Sequence, residues 1–441
     1  MTSLNTTILF YFAPLTTIYL FYVSNKLRRH YRNIRILRAT QKAGLTEPSS
    51  LYPVINHNRC IGCGACIAAC PEQNTHAVLG IINGKSHLIG PSYCIGHGLC
   101  EVVCPRKAIT LVYGTKKRGV DIPKTDLNQE TNVPGLFIAG ELGGMGLIHR
   151  ALEKGIQAVE YIAKKDGIGK GGDMLDLLIV GAGPAGFSAS LAAMEKKLRF
   201  KTLEQEDALG GAVYHFPKGK IVMTRQVHLP LVGLTPFIET TKEVLLESWQ
   251  KIQKKTGLAI NFKEHVKSIT LKDNSFTIRS SRETYSARYV LLALGRRGTP
   301  RKLDVCGEDH CKVEYRLIDP FDHQDKKVLV VGGGDSALEA ASCIAATTPN
   351  TKVILSYRGA AFNRAKEKNR RNVEEMARQG NLKVLLNSSV KEISPSHVVI
   401  EHEKQLHEFE NEAIIVCAGG ILPTGFLKEI GITVETKYGT P

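Results

Sequence analysis

Eight residues between 60 and 104 carry the most specific chemistry in this chain. The run Cys60-x2-Cys63-x2-Cys66-x3-Cys70-Pro71, within CIGCGACIAACP, is answered by Cys94-x5-Cys100-x3-Cys104-Pro105, within CIGHGLCEVVCP. In the second run His97 stands where the same spacing calls for a cysteine. Three thiolates two residues apart wrap one corner of an iron–sulfur cubane, and the cysteine before the proline points to the neighbouring cluster. That rule assigns Cys60, Cys63, Cys66 and Cys104 to one 4Fe-4S cluster. It assigns Cys94, Cys100 and Cys70 to a second, with His97 at its remaining corner. Two readings of His97 stand. As a neutral nitrogen ligand it makes the cluster less negative and raises its potential. Alternatively the corner iron is missing, leaving a 3Fe-4S cluster with His97 beside it. Both readings give two sites of unequal potential. A zinc knuckle is the other use of closely spaced cysteines, and it is the less specific match.

Two further motifs point to dinucleotides. In LDLLIVGAGPAGFSASLAAMEKK an apolar strand runs into Gly181, Gly183, Pro184, Ala185 and Gly186 and then into a helix. The glycines permit a tight turn and let a pyrophosphate approach the helix N-terminus, where unpaired amides favour negative charge. The next strand, RFKTLEQ, ends near Glu204, suited to a ribose hydroxyl pair. A second copy, KVLVVGGGDSALEAAS, places Gly332, Gly334, Asp335, Ser336 and Ala337 at the corresponding turn. Its following strand ends in Tyr357-Arg358, with Arg364, Lys366 and Lys368 behind, and carries no acid there. Arginines at that place suit a 2′-phosphate, so the motif reads as NADPH-binding, with NADH the other candidate. For Lys366 and Lys368 a solvated basic loop is the plainer account.

These motifs carry resemblances to two families. Residues 51–112 resemble the two-cluster bacterial ferredoxins. The two nucleotide motifs, with LLALGRRGTP between them and LGGAVYHFPKGK holding Gly211, resemble the two-domain pyridine-nucleotide flavoproteins of the thioredoxin reductase type. That resemblance implies FAD in the first fold and NAD(P) in the second. Thioredoxin reductases carry a CxxC before the second nucleotide motif. Here Cys306 and Cys311 are four residues apart, which looks more like the ferredoxin–NADP reductases of the same group. The family ends in a segment of the form TNVPGLxxAGD followed by a helix that closes over the flavin. This chain carries TNVPGLFIAGELGGMGLIHRALEKGIQAVEYIA at 131–163, before the first nucleotide motif. The resemblance therefore implies a circular permutation, with Gly140 and Glu141 in the flavin site and Glu141 where the family has an aspartate. A degenerate duplicate with a shortened C-terminus is the competing account.

Elements must position these residues. A chain of 441 residues is too long for one ordinary core. Its pattern predicts an α/β protein with two Rossmann-like dinucleotide-binding domains, for FAD and NADP, and a small α+β dicluster ferredoxin domain. The expected boundaries are 51–112 for the ferredoxin domain and 113–298 for the FAD domain, whose 113–170 is the permuted closing segment. The NAD(P) domain follows at 299–425, and 426–441 returns to the FAD domain. Seven of the eleven cysteines fall in the cluster region, which reads as cofactor ligation in a reducing compartment.

The N-terminus reads as a membrane attachment. Residues 6–23, TTILFYFAPLTTIYLFYV, carry no charge, and Lys26, Arg28, Arg29, Arg32, Arg35 and Arg38 follow. Length and charge order predict a transmembrane helix over 1–24 and a basic juxtamembrane linker over 25–50. The protein is then expected as a single-pass inner (plasma) membrane protein with its catalytic domains on the cytoplasmic side. An interfacial anchor interrupted by Pro14 is the alternative. A net charge of +16 favours anionic lipid or acidic partners, and no aromatic-interleaved basic motif supports nucleic acid.

Together these readings predict an NAD(P)H-dependent flavin and iron–sulfur oxidoreductase, passing electrons from NADPH to FAD to the clusters, or the reverse. Its partner would be a ferredoxin-like or other one-electron carrier, or a membrane quinone, and a homodimer is compatible with the sequence. Two other classes compete: a non-catalytic redox-sensing or tethering protein, and a thioredoxin-like disulfide reductase. No Ser/His/Asp set, acid/base carboxylate pair or P-loop lysine appears in a convincing context, so no catalytic side chain is assigned.

Overall fold

The computed structural model describes the backbone of residues 2–440 except 47, 49, 50, 75, 116–118, 144, 145, 170–173, 217, 224, 237, 238, 296–298, 349 and 364, with side chains described from Pro14 onward, apart from that of 299. The chain divides into two compact units. The first comprises Met1–Tyr113, Ala361–Glu367 and Thr440–Pro441, and the second Gly114–Ala360 and Lys368–Gly439.

In the first unit a single helix, α1 (Thr2–Lys42), precedes strand β1 (Tyr52–Ile55) and the short helix α2 (Ala65–Ala68). Strands β2 (Leu79–Ile82) and β3 (Lys85–Leu88) form a hairpin, followed by the short helix α3 (Leu99–Val102) and strand β4 (Ile109–Val112). The hairpin turns on Asn83 and Gly84, both with positive φ, the pairing that matches strand twist in a two-residue turn. Strands β1 and β4 pair antiparallel and bring the two ends of the cysteine region together.

The expected membrane span is not supported. Among the described residues, no helix is long and apolar enough to cross a membrane. A span needs about 20 apolar residues. Over the described side chains from Pro14 to Val23, Thr16, Thr17, Tyr19 and Tyr22 dilute the apolar character. The part of the expected span over 6–13 lies outside the described side chains. Nor is there a break between anchor and linker, because α1 runs as one 41-residue helix into the basic stretch. The single-pass membrane placement falls with the span.

The second unit holds a mixed six-stranded sheet and a wholly parallel five-stranded sheet. It begins with β5 (Val120–Pro123), β6 (Leu136–Ile138) and α4 (Ile148–Ile162). Strand β7 (Leu175–Val180), helix α5 (Pro184–Glu195), strand β8 (Phe200–Leu203) and helix α6 (Lys242–Thr256) follow. Strands β9 (Val266–Lys272), β10 (Ser275–Ser280) and β11 (Thr284–Leu292) complete the first sheet in the order β9-β10-β11-β7-β8. Near-continuous apolar runs make β7 and the end of β11 central parallel strands, buried on both faces. Strand β6 pairs in parallel with Val290–Leu292 of β11, beside the stretch of β11 that pairs with β10. Helix α4 buries Ala151, Leu152, Gly155, Ala158, Val159 and Ile162, a stripe at helical spacing, and packs on α5. Gly155 is obligatory there, because a Cβ would collide with the Ala185 carbonyl oxygen.

The second sheet is wholly parallel. Its strands are β12 (Val313–Glu314), β13 (Lys327–Val331), β14 (Lys352–Tyr357), β15 (Leu382–Leu386) and β16 (Ala413–Val416), in the order β12-β16-β13-β14-β15. Helix α7 (Asp335–Thr347) follows β13, and helix α8 (Glu367–Arg378) lies between β14 and β15. The last strand, β17 (Val434–Lys437), pairs antiparallel with β5.

Candidate functional site

The two cysteine runs fold into two matching loops. Gly62 and Gly64 flank Cys63 with φ of 69° and 82°, and Gly96 and Gly98 flank His97 with φ of 72° and 91°. Gly64 and Gly98 then start the short helices α2 and α3. The backbone around His97 thus repeats the backbone around Cys63, which puts the imidazole where the first run has a thiol. Left-handed φ at these places is what glycine supplies without a Cβ penalty.

Each loop lines a hollow together with a cysteine from the other run. Cys60, Cys63, Cys66 and Cys104 line one, and Cys70, Cys94, His97 and Cys100 line another. The residues that line each hollow are the sets that the spacing groups together. Among the described residues no three His, Cys, Asp or Glu side chains converge to hold a single metal ion. A cluster binds each protein ligand through a different iron, so its ligands stand apart, and this donor set fits a cluster better than a lone zinc.

Electrostatics distinguishes the two hollows. Burial pushes the Cys94 thiol up to about 11 and the Cys100 thiol to about 12, with neighbouring thiolates adding to both. Burial also raises Cys66 and Cys70. Amides reach sulfur in both hollows: Ser86 N lies 3.4 Å from Cys60 Sγ and Ala108 N lies 3.2 Å from Cys104 Sγ around the first, and the Gly96 and Glu101 amides reach Cys94 and Cys100 around the second. In the second, Leu99 N donates to His97 Nδ1 at 3.4 Å.

The first nucleotide turn is built at the C-terminal ends of parallel strands β6, β7, β8 and β11, the edge where such sheets bind ligands. Strand β7 delivers Gly181 and Gly183, and α5 starts at Pro184 and Ala185. Gly186 faces the Gly181 carbonyl oxygen, well inside the reach of any Cβ. Gly211 closes the cradle from another loop, since its Cβ would stand 2.9 Å from the Gly183 Cα. At the end of β8 the Glu204 carboxylate accepts from Ala182 N at 2.6 Å and from Glu206 N at 3.0 Å. Burial raises its pKa, and those two amides work against the rise. Strand β6 brings Gly140 against the Ala185 Cβ, with Glu141 opening the next short helical turn. Segment 131–163 therefore adds Gly140 and Glu141 to the same edge as Gly181 and Glu204. The close glycine contacts leave no Cβ in the way of a pyrophosphate at the start of α5, which fits FAD.

The second turn follows β13. A Cβ on Gly332 would stand 2.5 Å from the Cys417 carbonyl oxygen and 2.9 Å from the Ala337 Cβ, whereas Gly334 faces open space. Ser336 sits in the first turn of α7 beside Asp335, and Asn369 Nδ2 donates to Asp335 at 2.7 Å and to Glu339 at 3.0 Å. The Tyr357 ring packs against Gly333, and exposed Arg358 follows it beyond the end of β14. Arg364 lies outside the described residues. The stretch Ala361–Glu367 around it belongs to the first unit, where the Glu367 carboxylate lies 2.8 Å from His76 Nδ1.

Sequence reasoning missed the β2–β3 hairpin, which supplies Ser86 to the first hollow and the Lys85 ammonium to the Cys60 carbonyl oxygen. The Asn-Gly turn between alternating residues was its available signal. It also missed Lys154, whose ammonium lies 3.5 Å from the Gly143 carbonyl oxygen and whose pKa is lowered by burial and by Arg150. Nothing in the sequence marks that lysine.

Comparison with known proteins agrees with this division. Residues 178–441 match the model of the pyridine nucleotide-disulphide oxidoreductase family, and residues 53–111 match that of the 4Fe-4S dicluster domain. Bacilliredoxin reductase Bdr of Bacillus subtilis is 25% identical over 270 residues, 60% of this chain and 82% of that protein. A ferredoxin–NADP reductase of Ignicoccus hospitalis is 28% identical over 272 residues, 60% of this chain and 83% of that protein. Among solved structures, bacillithiol disulfide reductase Bdr from Bacillus cereus shares the fold with a TM-score of 0.54 at 20% identity, covering 59% of this chain and 82% of that one.

Proposed function

The chain belongs to the pyridine nucleotide-disulphide oxidoreductase family and carries a 4Fe-4S dicluster domain, and from that premise we propose that it couples NADPH to an external one-electron carrier protein. The observation that carries the reading is the presence in one chain of two four-ligand hollows and two glycine-lined dinucleotide turns. When bound, FAD would exchange a hydride, two electrons with one proton, with the nicotinamide, and the clusters would pass those electrons singly to or from the carrier.

The chain's own residues hold and orient these groups. Gly181, Gly183, Gly186 and Gly211 leave room for the FAD pyrophosphate, and Glu204 exchanges its amide partners for ribose hydroxyls. The match of 131–163 to the family's closing segment, and the pairing of β6 with β11, support a circular permutation with Glu141 at the flavin ribityl chain. On this reading 113–298 is the FAD domain and 299–425 the NAD(P) domain. Gly332, Gly334, Asp335, Ser336 and Ala337 take the second pyrophosphate. Arg358, with no acid at the end of β14, selects the 2′-phosphate. Replacing Arg358 by alanine should raise KM for NADPH on the order of tenfold or more, the worth of a charge-assisted hydrogen bond, and leave KM for NADH unchanged. Equal changes for both nucleotides would remove Arg358 from phosphate recognition.

An anaerobic titration of the full-length protein with NADPH, followed by flavin absorbance and low-temperature EPR together, tests the whole reading. Flavin bleaching followed by growth of cluster signals is expected. A 3Fe-4S type signal in the oxidised protein would take His97 off the iron. Bleaching with silent clusters would overturn the forward order. Cofactor loading without turnover against any one-electron carrier would favour a redox sensor.

A further inference from the structure

We propose that Ser86 on β3 sets the potential of the cluster in the first hollow, by donating its hydroxyl to Cys66 Sγ and its amide to Cys60 Sγ. This inference rests on the reading above that a cluster occupies that hollow. The Ser86 side chain is 2% exposed, with its Oγ 3.4 Å from Cys66 Sγ and its N 3.4 Å from Cys60 Sγ. Its carbonyl is engaged by His57 Nε2 at 3.0 Å. A cluster thiolate has no proton, so the hydroxyl must be the donor of the Ser86–Cys66 pair.

The hairpin holds Ser86 rigidly in this place. At the turn, Gly84 presses its carbonyl oxygen onto Gly62 so closely that no Cβ fits there. Lys85 Nζ donates to the Cys60 carbonyl oxygen at 2.6 Å. Across the strand pair Ser86 stands opposite Ile81, whose carbonyl accepts from Asn33 Nδ2 of α1 at 2.9 Å. The long basic helix thus braces the hairpin from behind at the register of Ser86.

The second hollow is built differently. Apart from its ligands it is lined by apolar residues, glycines, prolines and Glu72, and among the described residues no hydroxyl or carboxamide side chain lines it. Reduction of a cluster adds one electron and no proton, so the reduced state carries one more negative charge. Donors to ligand sulfur stabilise that state and raise the potential, whereas a nearby carboxylate opposes it. The Ser86 hydroxyl is therefore a side-chain donor to ligand sulfur that the second hollow's lining does not match, and it raises the potential of the first cluster.

The test is an EPR-monitored redox titration of full-length Ser86→Ala, with Ser86→Thr and Ser86→Val as a pair that differs in the hydroxyl alone. At the wild-type midpoint of the first cluster, Ser86→Ala should lower the reduced-to-oxidised ratio about tenfold, ~59 mV for one electron. Ser86→Val should follow Ser86→Ala, Ser86→Thr should stay near wild type, and the second cluster should not move. An unchanged first midpoint, an equal shift of both clusters, or identical behaviour of the Thr and Val variants would overturn the inference while leaving the function intact. Wild-type protein with no iron and no cluster signal would overturn both.

Discussion

Cys104→Ala should remove the first cluster and spare the second. Iron content should fall by roughly half, with FAD retained and one of two EPR signals lost. Cys63→Ala should remove the same signal, although Cys104 lies in the other run. Cys70→Ala should instead behave like Cys94→Ala and take the second signal. The reason is the exchange of ligands between runs: Cys104 lines the hollow of Cys60, Cys63 and Cys66, and Cys70 lines that of Cys94, His97 and Cys100. Structural metal sites supply folding free energy, so losing one ligand of four should also loosen the local fold, most of all the β1–β4 pairing. Metal analysis with EPR on the purified variants decides the matter. If Cys104→Ala and Cys94→Ala erased the same signal, each run would hold its own cluster and the exchange of ligands would be refuted.

Gly186→Val should abolish flavin binding, with the ratio of flavin to protein absorbance down at least ~tenfold, and should lower stability. Overpacking a core costs about 1–3 kcal/mol where side chains can give way. Here the obstacle is the Gly181 carbonyl, fixed at the end of β7, with the Ala293 Cβ 3.3 Å away, so the cost should reach or exceed that upper figure. Gly334→Ala provides the contrast, because its Cβ would meet nothing within 4 Å and its φ is ordinary. That variant should fold and keep its flavin. Flavin absorbance and thermal unfolding of the two proteins side by side check the pair. A flavin-loaded Gly186→Val protein of wild-type stability would show that α5 does not abut β7 as described.

The sequence alone determined most of the chemistry. Cluster ligands and nucleotide turns are written in contiguous residues, because covalent spacing decides which sulfurs and amides can reach one compact group. The residue sets that line the two hollows and both glycine turns were legible for that reason, including the place of Cys70 and Cys104 in the other run's hollow. Hydropathy of a single run misled at the N-terminus, since an uncharged stretch reads as a span although hydroxyl-bearing side chains dilute it and the same helix runs on into a basic stretch. Tertiary structure decided how distant segments reach each site. The family resemblance had named Gly140 and Glu141, and the pairing of β6 with β11 is what brings them to the edge that holds Gly181 and Glu204. The β2–β3 hairpin carries Ser86 onto Cys60 and Cys66. Such placements depend on burying the faces of segments far apart in the chain, and no local spacing records which faces will meet.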